Sequence, residues 1–132
     1  MSKIERFEDI LSWVEARKMN VIIAKLIKGK RFGNNFGLIR QVENSSGSIM
    51  DNIAEGFERG GNKEFIQFLY IARGSCGELR SQLYRALDLN IVEQSEFDLI
   101  AVHLQKISSL ILKLIKYLEF TELKGMKYKN RV

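Results

Sequence analysis

SEFDLIAVHLQKISSLILKLIKYLEF, Ser95 to Phe120, places apolar residues at Phe97, Ile100, Leu104, Ile107, Ile111, Leu114 and Leu118, at spacings alternating between three and four. This is the period of an α-helix that buries one face, here over about six turns. Ser95, with Asp98 three residues later, fits an N-cap in which a side-chain oxygen meets a backbone N–H left unpaired by the first turn. The preceding segment repeats the rhythm at Phe65, Leu69, Ala72, Cys76, Leu79, Leu83 and Ala86, opened by Asn62 as cap and closed near Asn90. Before it, Ile39, Val42, Ser46, Ile49, Ile53 and Gly56 form a third row, bounded by Gly33 and the Gly60-Gly61 pair. The first segment sets Trp13, Ala16, Met19, Ile22, Ile23, Leu26 and Ile27 on a broad apolar arc. No run alternates with the period of two that marks a strand. The expectation is an all-α protein, an antiparallel up-down four-helix bundle with helices at about 7–28, 38–58, 63–89 and 96–120. A single domain should cover 1–122, with 123–132 as a basic, mobile tail.

Composition excludes several function classes. A chain of 132 residues, 45% hydrophobic and 28% charged, has material for one core and not for several domains. Proline is absent where about seven would be usual, so nothing interrupts the helices. Uncharged stretches such as Ile107 to Leu112 fall far short of the roughly 18–20 apolar residues of a membrane span, so no membrane partner is expected. Met1-Ser2-Lys3-Ile4-Glu5-Arg6 turns charged at once and does not read as a secretory signal, which makes the expected location cytoplasmic. Cys76 is the one cysteine and His103 the one histidine, too few for a disulfide or a Cys/His zinc site. A carboxylate di-metal bundle needs Glu-x-x-His motifs, and Ile100 stands three residues before His103. Neither Gly29-Lys30-Arg31 nor Gly60-Gly61-Asn62-Lys63 is a phosphate-cradling P-loop. Asn52 with Glu55, and Glu78, read as surface groups: Arg59, Lys63 or Arg73 are candidate partners for Glu55, and Arg80, Arg73 or Gln82 for Glu78. The expectation is therefore no enzyme, no catalytic residue, no metal and no cofactor.

Charge carries the functional signal. Arg17, Lys18, Lys25, Lys28, Lys30, Arg31 and Arg40 fall in one stretch without an acid, and Lys124, Lys127, Lys129 and Arg131 add a second basic segment. The remainder is net acidic, although the whole chain is +5. At 100° per residue Arg17, Lys18, Lys25 and Lys28 occupy an arc of roughly 100° opposite the apolar arc, and the other three extend it around the loop. Such a face either lies along a phosphate backbone or serves as a solvated, solubilising surface. Phe7, Ile10, Leu11 and Val14 cannot all share the arc of Met19 and Leu26, and they are candidates for an oligomer interface. Leu99, Leu110 and Tyr117 lie outside the main seam of the last helix and point the same way. Small residues at Ser45, Ser46, Gly47 and Ser48 and at Ala72, Gly74, Ser75, Cys76 and Gly77 suggest that two helices approach closely there. Close packing is the expectation for them, and a ligand near the backbone is the alternative.

One long pattern goes further. Ser48-Ile49-Met50-Asp51-Asn52-Ile53-Ala54-Glu55-Gly56, then Arg59, Glu64-Phe65 and Phe68-Leu69, then Ile71-Ala72-Arg73-Gly74-Ser75 with Glu78-Leu79, resembles the bacterial four-helix-bundle proteins encoded in 23S ribosomal RNA intervening sequences. The similarity reaches Leu11, Trp13 and Ala16, and Phe36-Gly37-Leu38 with Gln41. The resemblance implies a protomer that assembles into a ring-shaped homopentamer, with no catalytic activity. It also implies kinship with accessory proteins of diversity-generating retroelements, which engage nucleic acid and a reverse transcriptase. Two departures stand out. After Gln41 the family usually has basic residues and alanines, whereas this chain reads Val42-Glu43-Asn44-Ser45-Ser46-Gly47, and the usual proline before the second helix gives way to Gly33-Asn34-Asn35-Phe36-Gly37. The expected function is RNA or DNA binding through the basic face by a homo-oligomer. The alternative is a protein-interaction scaffold without nucleic-acid binding.

Overall fold

The computed structural model describes residues 4–129, with side chains as far as residue 121, so the side chains of the basic segment 123–132 lie outside the described residues. A 3-10 turn at Phe7–Asp9 leads into four helices, α1 (Leu11–Lys28), α2 (Phe36–Glu58), α3 (Asn62–Asp88) and α4 (Gln94–Lys129). Among the described residues there is no strand. Each helix packs on its neighbour in sequence and α1 closes against α4, while the diagonal pairs stay apart. With connections only at 29–35, 59–61 and 89–93, this is an up-down bundle.

Periodicity sets the core. The whole α4 row from Phe97 to Leu118 is buried, as is the whole α3 row from Phe65 to Ala86. On α2, Val42, Ser46, Ile49 and Ile53 turn inward. The arc of α1 is used only in part: Ala16, Met19 and Ile23 are buried, Trp13, Leu26 and Ile27 are half-buried, and Ile22 is exposed. The α2–α3 seam is the most extensive of the four and the α1–α4 seam the least, so the outer edge of the α1 arc has little to pack on. Phe32 and the Ile91-Val92 pair come from loops and close the bundle ends.

Helix ends differ from the sequence expectation in physical detail. The first helix starts at Leu11 and not near Phe7, because Ile10 is extended and the 3-10 turn folds back to bury its side chain. Gly61, not Asn62, precedes α3, with no side-chain cap. Before α4, the N–H of Glu93 donates to the Glu96 carboxylate at 2.9 Å, so the returning acid is Glu96 rather than Asp98. Asn35 caps α2, its side-chain oxygen accepting from the Leu38 N–H at 3.2 Å. Asn90, at φ 59°, takes the left-handed turn after α3.

The small residues do not act as expected throughout. Of the described glycines, Gly56 is the one held against a neighbouring helix, where an added Cβ would lie 2.6 Å from the Phe68 Cβ of α3. Midway along the helices, serines bridge the seams instead. Ser45 donates to Glu78 at 2.9 Å, Ser46 to Asn20 at 3.0 Å, and the Ser48 and Ser75 hydroxyls meet at 2.9 Å. The partner of Glu78 is thus Ser45 and none of the expected basic neighbours, whereas Glu55 does pair with Arg59 at 3.3 Å. Gly74 and Gly77 face outward, and a Cβ on either would meet nothing within 4 Å. Packing therefore does not explain them.

Candidate nucleic-acid interface

The α1 helix holds Arg17, Lys18, Lys25 and Lys28 outward, as a helical stripe opposite buried Ala16, Met19 and Ile23 must. The seven basic candidates divide into two kinds. Among the described residues, Arg17, Lys25, Lys28, Lys30 and Arg40 make no ion pair. Arg17 lies against the Trp13 ring, 5.8 Å from its centroid, which steadies the guanidinium without neutralising it. Lys30 extends the surface beyond the C-terminus of α1 in a left-handed conformation, and Arg40 stands exposed on α2.

Arg31 and Lys18 are engaged within the protomer. The Arg31 guanidinium donates from Nη1 to Glu96 at 2.7 Å, from Nη2 to the other oxygen of the same carboxylate, and from Nε to the Ile91 carbonyl at 2.8 Å. It pins the α1–α2 loop to the start of α4. Hydrogen bonds from Arg31, then from the Glu93 N–H, hold the Glu96 carboxyl down at about 2, and the pairing raises Arg31. Lys18 Nζ donates to Glu15 at 3.0 Å.

Glu15 is the residue that sequence reading missed. Its side chain is only 8% exposed, and its oxygens meet Lys18 on α1 and both His103 Nε2 and Lys106 Nζ on α4, each of the latter two at 3.2 Å. The Lys18 hydrogen bond holds the carboxyl down at about 2, against burial that would raise it and with Lys106 assisting. This ion cluster joins the least extensive seam of the bundle. The available signal was an acid in a helix otherwise basic on that side, with His103 and Lys106 three apart on α4. Cys76 is buried beneath α4, and burial pushes its thiol up to about 12, opposed by the nearby Arg73 charge, so it is an unreactive neutral group.

The four interface candidates also divide. Ile10 is buried in the protomer's own core and so is not free to meet another chain, whereas Phe7 is half-buried and packs edge-on against Trp13. Val14 is half-buried and Leu11 is 57% exposed. The larger open apolar surface is elsewhere: Leu99 and Val102 on α4 are 75% and 71% exposed. Beside Leu99, a groove of about 460 Å³ runs between the helices, lined by Ile22 and Leu26 of α1 and Ile100 of α4. Among the described residues, no group of three or more His, Cys, Asp or Glu could hold a metal ion, and no helix is long and apolar enough to cross a membrane.

Comparison with known proteins places this bundle. The family model described as 23S rRNA-intervening sequence protein matches residues 8–113, which takes in α1, α2, α3 and much of α4. The chain belongs to that family. A crystal structure of a protein of unknown function from the S23 ribosomal protein family of Bacteroides thetaiotaomicron is similar, with a TM-score of 0.72 at 22% identity over 80% of this chain and 96% of that one. No curated protein matches the chain. In this 23S rRNA-intervening sequence protein, the residues that carry the sequence resemblance meet across the α2–α3 seam. Ser48 bonds Ser75 and Gly56 sits against Phe65 and Phe68 across it, while within α2 Asn52 donates back to the Ser48 carbonyl at 2.8 Å. That part of the pattern is the seam's own packing and hydrogen bonding.

Proposed function

We propose that the protein is a non-enzymatic, cytoplasmic, oligomeric helical bundle that binds structured RNA, or another nucleic acid, through the α1 face. The observation that carries this reading is the set of five cations, Arg17, Lys25, Lys28, Lys30 and Arg40, which no acid pairs with among the described residues and which lie in a stretch, 17–40, that contains no acid. Exposed, flexible lysines suit sequence-independent phosphate contacts, whose strength comes from counterion release. Self-association through the α1–α4 groove, with Leu99 in its lining and exposed Val102 elsewhere on α4, is part of the same reading: it would bring the basic stripes of neighbouring copies together and multiply weak contacts. The expected assembly is the pentamer that the family resemblance implies, five protomers of 15.3 kDa.

The test is a titration of labelled structured RNA and matched duplex DNA at several salt concentrations, with the assembly's mass fixed by light scattering. Reversal variants Arg17→Glu, Lys28→Glu and Lys30→Glu avoid Lys18, whose reversal would break the Glu15 cluster, and Lys25, which lines the α1–α4 groove. Affinity should fall steeply with salt, and each reversal should lower the slope by about one phosphate contact. An intact oligomer that binds neither nucleic acid at low salt would overturn the reading. It would favour the second one, a protein-interaction scaffold, for which the exposed Leu99 and Val102 speak.

A further inference from the structure

On another face of the molecule, between α3 and α4, lies a cleft of about 430 Å³. Its α3 wall is glycine where a helix would ordinarily carry side chains. Gly74 and Gly77 touch nothing that a Cβ would disturb, so neither is required by packing inside the protomer, and each weakens the helix it sits in. What they provide is open space down to the backbone.

The charge in that space is all of one sign. Arg73 and Arg80 are two turns apart on one stripe of α3, about 10 Å along the axis, with Gly77 between them and Tyr70 above. Neither guanidinium meets a carboxylate among the described residues. Arg73 Nε donates to the Ser108 hydroxyl at 3.2 Å, and Arg80 Nη1 donates to the Gln105 side-chain oxygen at 3.1 Å. Both partners are neutral and come from α4. Each guanidinium is therefore held by one hydrogen bond at the wall of the cleft, with its charge and its other N–H groups not engaged by a carboxylate. No acidic residue lines the cavity.

We infer that the α3–α4 cleft binds a phosphate-bearing ligand, with Arg73 and Arg80 clamping its oxygens over the bare backbone of Gly77. Paired planar forks match the oxygens of a phosphoryl group, and the volume is within the range of small-molecule sites. Tyr70, half-exposed at the rim, offers a ring face on which a nucleobase can stack. The site is separate from the α1 face and does not depend on it.

The experiment is calorimetric titration of the full chain with inorganic phosphate, with ADP and with a short single-stranded oligonucleotide. Variants are Arg73→Gln, Arg80→Gln, Arg73→Lys, Gly77→Leu and, as a control for the other surface, Lys25→Glu with Lys28→Glu. Circular dichroism and light scattering verify fold and assembly. Each Arg→Gln change should weaken binding by about tenfold or more. Arg73→Lys should rescue only part of the loss, Gly77→Leu should block the site, and the lysine control should leave phosphate and ADP binding unchanged. Phosphate binding alone supports a small oxyanion as source, ADP tighter than phosphate supports a nucleotide, and the oligonucleotide tightest to the Lys25→Glu, Lys28→Glu chain supports a phosphodiester strand. Absence of binding of phosphate and ADP at millimolar concentration, and of the oligonucleotide to the Lys25→Glu, Lys28→Glu chain, overturns the inference, as does phosphate or ADP binding that survives both arginine substitutions. So does a Gly77→Leu variant that loses subunits while keeping its ligand, for then the glycine face is a contact between copies.

Discussion

Replacing Gly56, Gly74 and Gly77 by alanine, one at a time, should change stability in opposite directions. Glycine inside a helix is less favourable than alanine by about 0.5–1 kcal/mol, so each substitution starts from a gain of that size. At Gly74 and Gly77 nothing lies within 4 Å of the new Cβ, and the gain stands. At Gly56 the Cβ would sit 2.6 Å from the Phe68 Cβ and 3.1 Å from a Phe65 ring carbon. The Phe68 Cβ is fixed to the α3 backbone and cannot rotate away, so the two helices must separate. Overpacking of this kind costs about 1–3 kcal/mol, which exceeds the helix gain and leaves Gly56→Ala less stable by roughly 1–2 kcal/mol. Urea unfolding followed by far-ultraviolet circular dichroism reads the difference. In a thermal melt it corresponds to about 3–5 °C per kcal/mol for a chain of this size. If Gly77→Ala destabilises as much as Gly56→Ala, the outward face of α3 is packed against something, and the reasoning from open space fails.

The ion clusters give two further predictions. Glu15→Gln removes the one carboxylate that Lys18, His103 and Lys106 share and should lower stability by about 1–2 kcal/mol at neutral pH, since the cations are largely solvated and screened. Because the folded-state carboxyl is held at about 2, below its ordinary 4.5, its contribution is complete above about pH 4.5 and is lost as the pH falls towards 2. Urea midpoints measured across that window should drop more steeply for the wild type than for Glu15→Gln, and parallel curves would contradict the assignment. Glu96→Gln should loosen the 29–35 connection by releasing Arg31, seen as faster amide exchange there with α2 and α3 unchanged. Unchanged exchange would mean that Phe32, buried in the bundle end, holds the loop unaided.

Much of this architecture was legible because helical burial follows a period of 3.6. The α3 and α4 rows read from sequence are fully buried, down to Cys76 and Ala86. What escaped notice depends on which neighbour a face meets, and a single helix does not encode that. Ile22 belongs to the apolar arc of α1 yet is exposed, because the α1–α4 seam is loose and the arc is wider than the seam. Ile10 falls among the interface candidates by its angle around a continuous helix, but the chain is extended there, so the angle does not apply. Gly56 and Gly77 look alike in sequence, and only the placement of Phe68 beside one of them separates a packing glycine from an exposed one. The charge pattern was read as a single basic surface. It resolves into free cations and engaged ones because Glu15 and Glu96, far apart in sequence, each reach into it.

The two cationic surfaces differ in kind, and so would their binding. On α1 the free charges are mostly lysines, long, exposed and without an orienting hydrogen bond, so their attraction to phosphate is diffuse and grows with the number of phosphates in reach. On α3 the charges are two arginines, each held by a neutral α4 side chain at the wall of a cleft that no acid lines. Such an arrangement fixes geometry and engages one phosphate group or two. Salt should therefore weaken the first surface steeply and the second only slightly, because few counterions are displaced from a single site. The helix most affected by both is α4. Through His103 and Lys106 it holds α1 in place, and through Gln105 and Ser108 it orients the arginines of α3. Polar side chains on the two flanks of the buried α4 row thus set the position of both basic faces, His103 and Lys106 on the side of α1 and Gln105 and Ser108 on the side of α3, while Leu104 and Ile107 between them stay in the core.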